Sequence, residues 1–393
     1  MPLSDVTVVD VATLGAAPQV AAFFGDLGAR VIKVEPPSGD PLRHLVDRRG
    51  FPLAWKIVNR NKSCVTLDLD CAEGRELLDR LLERADLLVC AAGPERLARW
   101  RLEPSRLAAR FPRLVAVDLT AFGIEGPWAG RPGSGTLAEA VSGLAALTGA
   151  ADGPPTLSPV GLGDYLGVLE AIVAALVGLR ARERDGSGGF ADVAMVDPLL
   201  RLLSLRLAAF GREGRDPGRR GNRFPTMAPR NAYRTADGEW VALTAGTDGQ
   251  ARRVLDVIGG PELADDPRFG DARSRLEHGD ELDALIARWI ARRSRDEVVA
   301  AFVGAGVSLA SIDGLAGVRA NPHLRARGSL VEVDDGEGGM LELPAPGPRL
   351  GPRAGGRIRC LGRDRGADNR AIFLEWLGLG ADELERLERA GVV

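Results

Sequence analysis

Five short β-rich runs alternate with helical stretches over the first 120 residues, and this alternation constrains the fold more than any other feature. The runs are VTVVDVA (6–12), RVIKVEP (30–36), SCVTLDL (63–69), DLLVCAA (86–92) and LVAVDLT (114–120). Helical segments PQVAAFFGDLGA (18–29) and AEGRELLDRLLERA (72–85) lie between them. Such spacing predicts a parallel α/β sheet with helices on both faces. Ligands in such sheets bind beyond the C-terminal ends of the strands. The first run leads into ATLGAAPQ rather than G-x-G-x-x-G, which disfavours a nicotinamide or flavin dinucleotide, and no P-loop pattern occurs.

The second half reads differently. Residues 205–230 are rich in Arg, Gly and Pro and read as a linker. AYRTADGEWVALTAG then predicts a hairpin turning at Asp237-Gly238. Helices follow, including ELDALIARWIARR (281–293), and Ser294 with Glu297 predicts a capping box. This segment reads as a smaller α+β domain. LVEVDDGEGGMLEL (330–343) is a second hairpin candidate, with helices expected over 368–377 and in the closing ADELERLERAGVV.

Composition narrows the function classes. The 393 residues are 45% apolar and 27% charged with a net charge of −3, ordinary values for a soluble globular chain. Near-neutrality disfavours a nucleic-acid partner. Glu170 interrupts the longest apolar run, so no membrane span is expected, and the N-terminus lacks the pattern of a signal peptide. Cys64, Cys71, Cys90 and Cys360 have no metal-ligand spacing and suit a reducing cytoplasm. His44, His278 and His323 are scattered, which disfavours a His-based triad and any metal site. Lysine occurs only as Lys33, Lys56 and Lys62, and the other 48 of the 51 basic residues are arginine.

Asp164 is the leading candidate for chemistry. It follows a Gly-Leu-Gly turn and opens a helix that is apolar on nearly every face from Tyr165 to Leu179, which predicts a buried helix. An acid in the first turn is favoured by exposed backbone N–H groups and the helix dipole. Helix physics alone reads Asp164 as an N-cap. Gly161 and Gly163 serve either as a plain tight turn or as points of close approach to a substrate.

Nine segments in order resemble the class III CoA-transferases, the superfamily of formyl-CoA transferase, carnitine CoA-transferase and alpha-methylacyl-CoA racemase. They include DLGARVIKVEPPSGDPLR (26–43), NRNKSCVTLDLDCAEGRELL (59–78), FGIEGPWAGRPG (122–133), AVSGLAALTG (140–149), the Asp164 segment, GNRFPTMAP (221–229) and LGLGADELERLERAGV (377–392). The resemblance implies a Rossmann-like large domain built from both chain ends, 1–200 and 318–393. A linker over 201–221 and a small domain over 222–316 would lie between them, and two subunits would interlock as a homodimer. It further implies CoA transfer between carboxylic acids, with coenzyme A as substrate and no tightly bound cofactor. Asp164 matches the catalytic aspartate, which would form an aspartyl anhydride and then an aspartyl-CoA thioester. Such chemistry needs N–H donors for the oxyanions and exclusion of water. Gly161 and Gly163 are candidates for the former. Gly221 and Asn222 are candidate lid hinges, or else a plain interdomain turn. Arg43, Lys62, Arg99 and Arg101 fall in the segments that line the CoA cleft and as a group would meet the CoA diphosphate, although each alone reads first as an ordinary surface charge.

Departures from the family pattern share a direction. Gly15 stands where a larger side chain is usual, Cys90-Ala91-Ala92 replaces an acidic-amide-aromatic run, and Gly133-Ser134-Gly135 lacks the acid expected near the nucleophile. Glu139 lies one turn later as a possible auxiliary acid. With a single base in view, racemisation ranks low. Three readings stand: an intermolecular CoA-transferase, an isomerase, lyase or acyl-transfer enzyme on the same fold, and a non-catalytic subunit paired with a paralogue.

Overall fold

The structure is a computed structural model and describes residues 1–216, 218–350 and 355–393. The chain forms two compact units. One comprises Met1–Ser142, Ser158–Ser204 and Gly328–Val393, the other Gly143–Leu157 and Leu205–Arg327.

The first unit is built on a six-stranded parallel sheet of β1 (Thr7–Asp10), β2 (Arg30–Glu35), β3 (Lys62–Thr66), β4 (Leu87–Cys90), β5 (Val115–Thr120) and β6 (Gly189–Ala194), in the order β3-β2-β1-β4-β5-β6. Val8, Val9, Ile32, Val65, Leu88, Val89, Ala116 and Val117 are all buried. Parallel strands covered on both faces read as continuous apolar runs, which is why the first five strands were visible in the sequence. β6 lies at a sheet edge, and its GFADVA is mostly part-exposed, so it carries no such run. β1 and β4 are neighbours at the point where the strand order reverses, and a crevice opens beyond their C-terminal ends there.

Residues from the far end of the chain complete this unit. Ile372, Phe373, Leu384 and Leu387 share one core with Val9, Ile32, Val65 and Leu88. The outer edge of β3 is closed by them as well. The Cys64 N–H donates to Asp368 Oδ2 at 2.8 Å, the Thr66 N–H to Asn369 Oδ1 at 3.0 Å, and the Asp68 N–H to the Val392 carbonyl at 2.8 Å.

The helices of this unit include α1 (Pro18–Asp26), α2 (Gly93–Trp100), α3 (Gly135–Ser142), α4 (Leu162–Asp185) and α5 (Val196–Leu202), of which α1, α2 and α4 contribute residues to the crevice. The expectation that α4 is buried all round is corrected. It packs on β5, β6, α1, α3 and α5 through Gly167, Val168, Ala171, Ile172, Ala175 and Leu179. Its other side leaves Tyr165 (55%), Val173 (56%) and Val177 (62%) open, with Leu169 between them. An i, i+4 spacing makes these one stripe. By length and hydropathy this helix would pass for a membrane span, but its inner face is that of a core helix.

The second unit has an antiparallel sheet of β7 (Arg230–Arg234), β8 (Trp240–Thr244) and β9 (Ser308–Ser311). The first turn falls at Asp237-Gly238, with Gly238 at φ +83°, a conformation suited to glycine. Helices Asp248–Ala264, Gly279–Ile290 and Arg295–Gly304 bury Val254, Ile286, Val298 and Phe302 against Val241 and Leu243. Ser294 and Glu297 form the reciprocal capping box. The stretch read as a linker, 201–221, is instead helical over Ser204–Glu213, and its residue 217 lies outside the described residues, as do 351–354 of the C-terminal segment.

Candidate active site

A cleft of about 1130 Å³ lies at the C-terminal ends of β1, β4 and β5, and Asp164 lines it. The N-cap of α4 is Gly161, so Asp164 is the third helical residue and caps nothing in its own helix. Its Oδ1 accepts a hydrogen bond of 3.0 Å from the Gly135 N–H at the start of α3. Asp164 has no ion pair among the described residues. The carboxylate is thus fixed by a neutral donor, and its negative charge is not neutralised by a side chain.

Glycines make this placement possible. A Cβ on Gly135 would fall on the Asp164 backbone nitrogen and lie 2.6 Å from its Cγ. A Cβ on Gly161 would lie 2.7 Å from Asp164 Oδ2. A Cβ on Gly163 would strike the Gly135 backbone, with the carbonyl carbon at 2.9 Å. The ends of α3 and α4 therefore meet backbone to backbone. The space beside Gly135, where the family pattern has an acid nearby, is occupied by Asp164 itself. Gly15 is different: nothing lies within 4 Å of a Cβ there, and the residue lines the cleft.

Glu139 does not line the cleft. It is buried, and its two oxygens accept from the Gly163 N–H (3.0 Å) and the Ser158 N–H (3.3 Å). It pins the turn that precedes Asp164, and this corrects its reading as an auxiliary acid. The same contact engages the Gly163 N–H, so Gly163 is not an oxyanion donor in this arrangement. Gly161 lines the cleft. Gly221 and Asn222 belong to the second unit. The Gly221 N–H donates to the Gly149 carbonyl at 3.0 Å, its φ is +58°, and the Asn222 carbonyl accepts from Arg230 at 2.6 Å.

The four cations expected at the CoA diphosphate part company. Lys62 is fully buried and paired with Asp10 at 2.8 Å, so it cannot reach a ligand. Arg43 forks onto Glu35 through two bonds of 2.7 Å and stacks 3.6 Å above the Trp55 ring. Arg101 ends α2 in a left-handed conformation and lines neither the cleft nor the recess beside Trp100. Arg99 lines a second recess of about 260 Å³ beside Trp100, and pairs with Asp70 at 3.3 Å. Two cations escaped the sequence reading. Arg96 lines both the cleft and this recess, which also share Thr13. Arg131 lines the cleft with its guanidinium 4.6 Å from the Trp128 ring. Neither is in an ion pair among the described residues. Arg96 stands three positions before Arg99, the helical spacing that could have flagged it.

Ala91 and Ala92 line the cleft as small residues, and Ala92 cannot cap α2 with its side chain. Asp118 of β5 does so from a distance, accepting from the Ala92 N–H (2.7 Å) and the Gly93 N–H (3.2 Å). Burial raises the Asp118 carboxyl above its ordinary range, and those two N–H bonds draw it back.

Comparison with known proteins bears on the chain as a whole. The model of CoA-transferase family III matches residues 3–359. The chain is 36% identical over 395 residues to a succinyl-CoA–D-citramalate CoA-transferase of Chloroflexus aurantiacus, covering 100% of this chain and 98% of that one. It is 33% identical over 399 residues to the beta subunit of a succinyl-CoA–L-malate CoA-transferase of the same organism, with 100% and 98% covered. The crystal structure of a CAIB/BAIF family protein from Brucella suis aligns with a TM-score of 0.81 at 30% identity, covering 95% of this chain and 99% of that one. The chain therefore belongs to CoA-transferase family III.

Proposed function

We propose that this CoA-transferase uses Asp164 as a covalent carrier between a donor acyl-CoA and an acceptor carboxylic acid. The observation that carries the proposal is an unpaired carboxylate, held by the Gly135 N–H, in a cleft at the strand ends. Asp164 attacks the thioester carbonyl, the C–S bond breaks, and an aspartyl anhydride and CoA thiolate form. The thiolate attacks the aspartyl carbonyl, the anhydride C–O bond breaks, and the donor acid leaves with the aspartyl-CoA thioester remaining. The acceptor carboxylate takes CoA by the reverse sequence. Dividing the transfer in this way replaces one difficult step with easier ones.

The proposed donor is succinyl-CoA and the acceptor a small hydroxylated dicarboxylic acid, after the two relatives named for such pairs. Arg131 and Arg96 supply positive charge along the cleft for a second carboxylate or for the CoA diphosphate. Incubating the enzyme with succinyl-CoA and hydroxylamine should convert Asp164 to its hydroxamate, read by peptide mass spectrometry. An unmodified Asp164 in enzyme that turns over would reject the covalent role.

Gly15 sets the room available to the acyl group in this reading. Gly15→Leu should leave the melting temperature unchanged and lower kcat/KM for succinyl-CoA roughly 10- to 100-fold. A side chain there meets empty space, so equal activity would show that the substrate lies elsewhere.

We also propose a homodimer. Leu137 and Val141 of α3, Leu169, Val173 and Val177 of α4 and Leu202 of α5 are exposed on three helices that pack side by side. An apolar face of this extent marks an association surface, and the family resemblance names a second copy as its occupant. Light scattering should return twice the 41.6 kDa chain mass, and a monomer would refute the dimer.

A further inference from the structure

Arginine has almost displaced lysine in this chain, yet two of the three lysines lie fully buried beneath one loop. That loop, Ala12–Pro18, joins β1 to α1, and Thr13, Gly15 and Ala17 line the cleft that contains Asp164. Lys33 Nζ donates to the Ala12 carbonyl and meets Asp40 Oδ2 at 3.2 Å as an ion contact without hydrogen-bond geometry. Asp40 Oδ1 accepts in turn from the Leu14 N–H at 3.3 Å. Lys62 Nζ donates to the Pro18 carbonyl (2.7 Å), Asp10 Oδ2 (2.8 Å) and Asn59 Oδ1 (2.9 Å). Asp10 Oδ1 accepts from the Ala12 N–H at 3.0 Å. One ammonium therefore holds the start of the loop and the other its end. Between them Leu14 adopts φ +66°, which a residue with a side chain adopts only when its surroundings hold it there.

We propose that Lys33 and Lys62 are positioning residues of the CoA-transfer reaction: two buried ammonium groups that clamp the loop forming one wall of the substrate cleft. The chemistry of the site explains why lysine persists here. Three acceptors take the three protons of the compact Lys62 ammonium, one each, whereas a planar guanidinium with five donors is larger and would leave some unpaired. The inference rests on the CoA-transfer reading for the reaction assayed, and on no particular role for Asp164.

The charged groups facing Lys62 are Asp10 on β1 and Lys33 on β2, with the Cys64 thiol on its own strand. Burial pushes the Lys62 ammonium down to about 8, against the upward pull of Asp10. Above that pH the folded protein has released a proton that the unfolded chain retains up to the ordinary lysine value. The unfolded state then binds more protons, so this group's contribution to stability rises with pH. Deprotonation of Lys62 removes one of the donors that hold the loop, so activity is expected to fall above about pH 8 with no loss of stability from this group.

The experiment compares Lys33→Arg, Lys62→Arg and Asp40→Asn with wild type, and Lys56→Arg serves as control. Succinyl-CoA-dependent CoA transfer is assayed across pH 6.5–9.5, and folding is followed by circular dichroism. Both clamp arginine variants should stay folded and lose about 10- to 100-fold in kcat. Lys62→Arg should also lose the alkaline limb near pH 8, because a guanidinium does not titrate there. If an arginine variant fails to fold, Asp40→Asn decides: it keeps the shape and the acceptor for Leu14, and should still lower kcat. Wild-type kcat in the folded variants, or an alkaline limb unmoved in Lys62→Arg, would overturn the clamp. Failure of the Asp164 reading would appear separately, as absence of the hydroxamate in wild-type enzyme.

Discussion

Asp164→Ala and Asp164→Asn should each lower kcat for CoA transfer by about 10⁴-fold or more while leaving a folded protein. The asparagine variant is the sharper of the two. Its amide oxygen can still accept from the Gly135 N–H, as Asp164 Oδ1 does at 3.0 Å, so the turn keeps its geometry and only the nucleophile disappears. The alanine variant also leaves that N–H without its partner, at a cost to stability of about 1 kcal/mol. Both are read by steady-state assay and thermal melting, with CoA affinity measured alongside. Comparable loss in the two variants assigns the effect to chemistry. Substantial activity in Asp164→Asn would remove Asp164 from the covalent steps.

The second large effect is expected one residue away in space. Gly135→Ala places a methyl group on the Asp164 backbone nitrogen, and no rotamer change can relieve a clash with backbone. The starts of α3 and α4 must separate, at a cost of about 1–3 kcal/mol for overpacking. The bond that aims Asp164 lengthens with them. A displacement on the order of 1 Å costs about 10²-fold in rate, so kcat should fall by that factor in protein that remains folded. Gly163→Ala meets the same backbone from the other side and should behave alike. Full activity in Gly135→Ala would show that the two helices can part without disturbing the carboxylate.

Much of the first unit was legible because its central strands are buried on both faces and leave uninterrupted apolar runs. β6 was not, since an edge strand with partial exposure carries a mixed pattern. The capping box at Ser294 was legible because its signal is local and stereochemical. The helix over Ser204–Glu213 was hidden by glycine and arginine further along, which drew the whole stretch into a linker reading. At the site, Asp164 stood out by motif, whereas its support from Gly135 depends on two helix ends meeting across 29 positions of sequence. Lys62 shows the limit most clearly. Nothing in its neighbours distinguishes a lysine facing a phosphate from one sealed against Asp10, because burial is set by elements remote in the chain. The absent acid at position 135 misled for a related reason: a sequence shows that a side chain is small, but not what fills the space.

The closure of β3 by residues near Asp368 and Val392 has a consequence for how the chain is made. Cys64 and its partner Asp368 are 304 positions apart. During synthesis the strands of the first sheet emerge early, but the group that satisfies the Cys64 N–H on its outer edge follows 304 positions later. Until then the nascent sheet presents unpaired N–H groups and an apolar flank to every neighbouring chain. The second unit, most of which is made between the two, contains its own core. An edge left open in this way favours pairing with other chains, a hazard of the chain's order of synthesis and not of the finished fold.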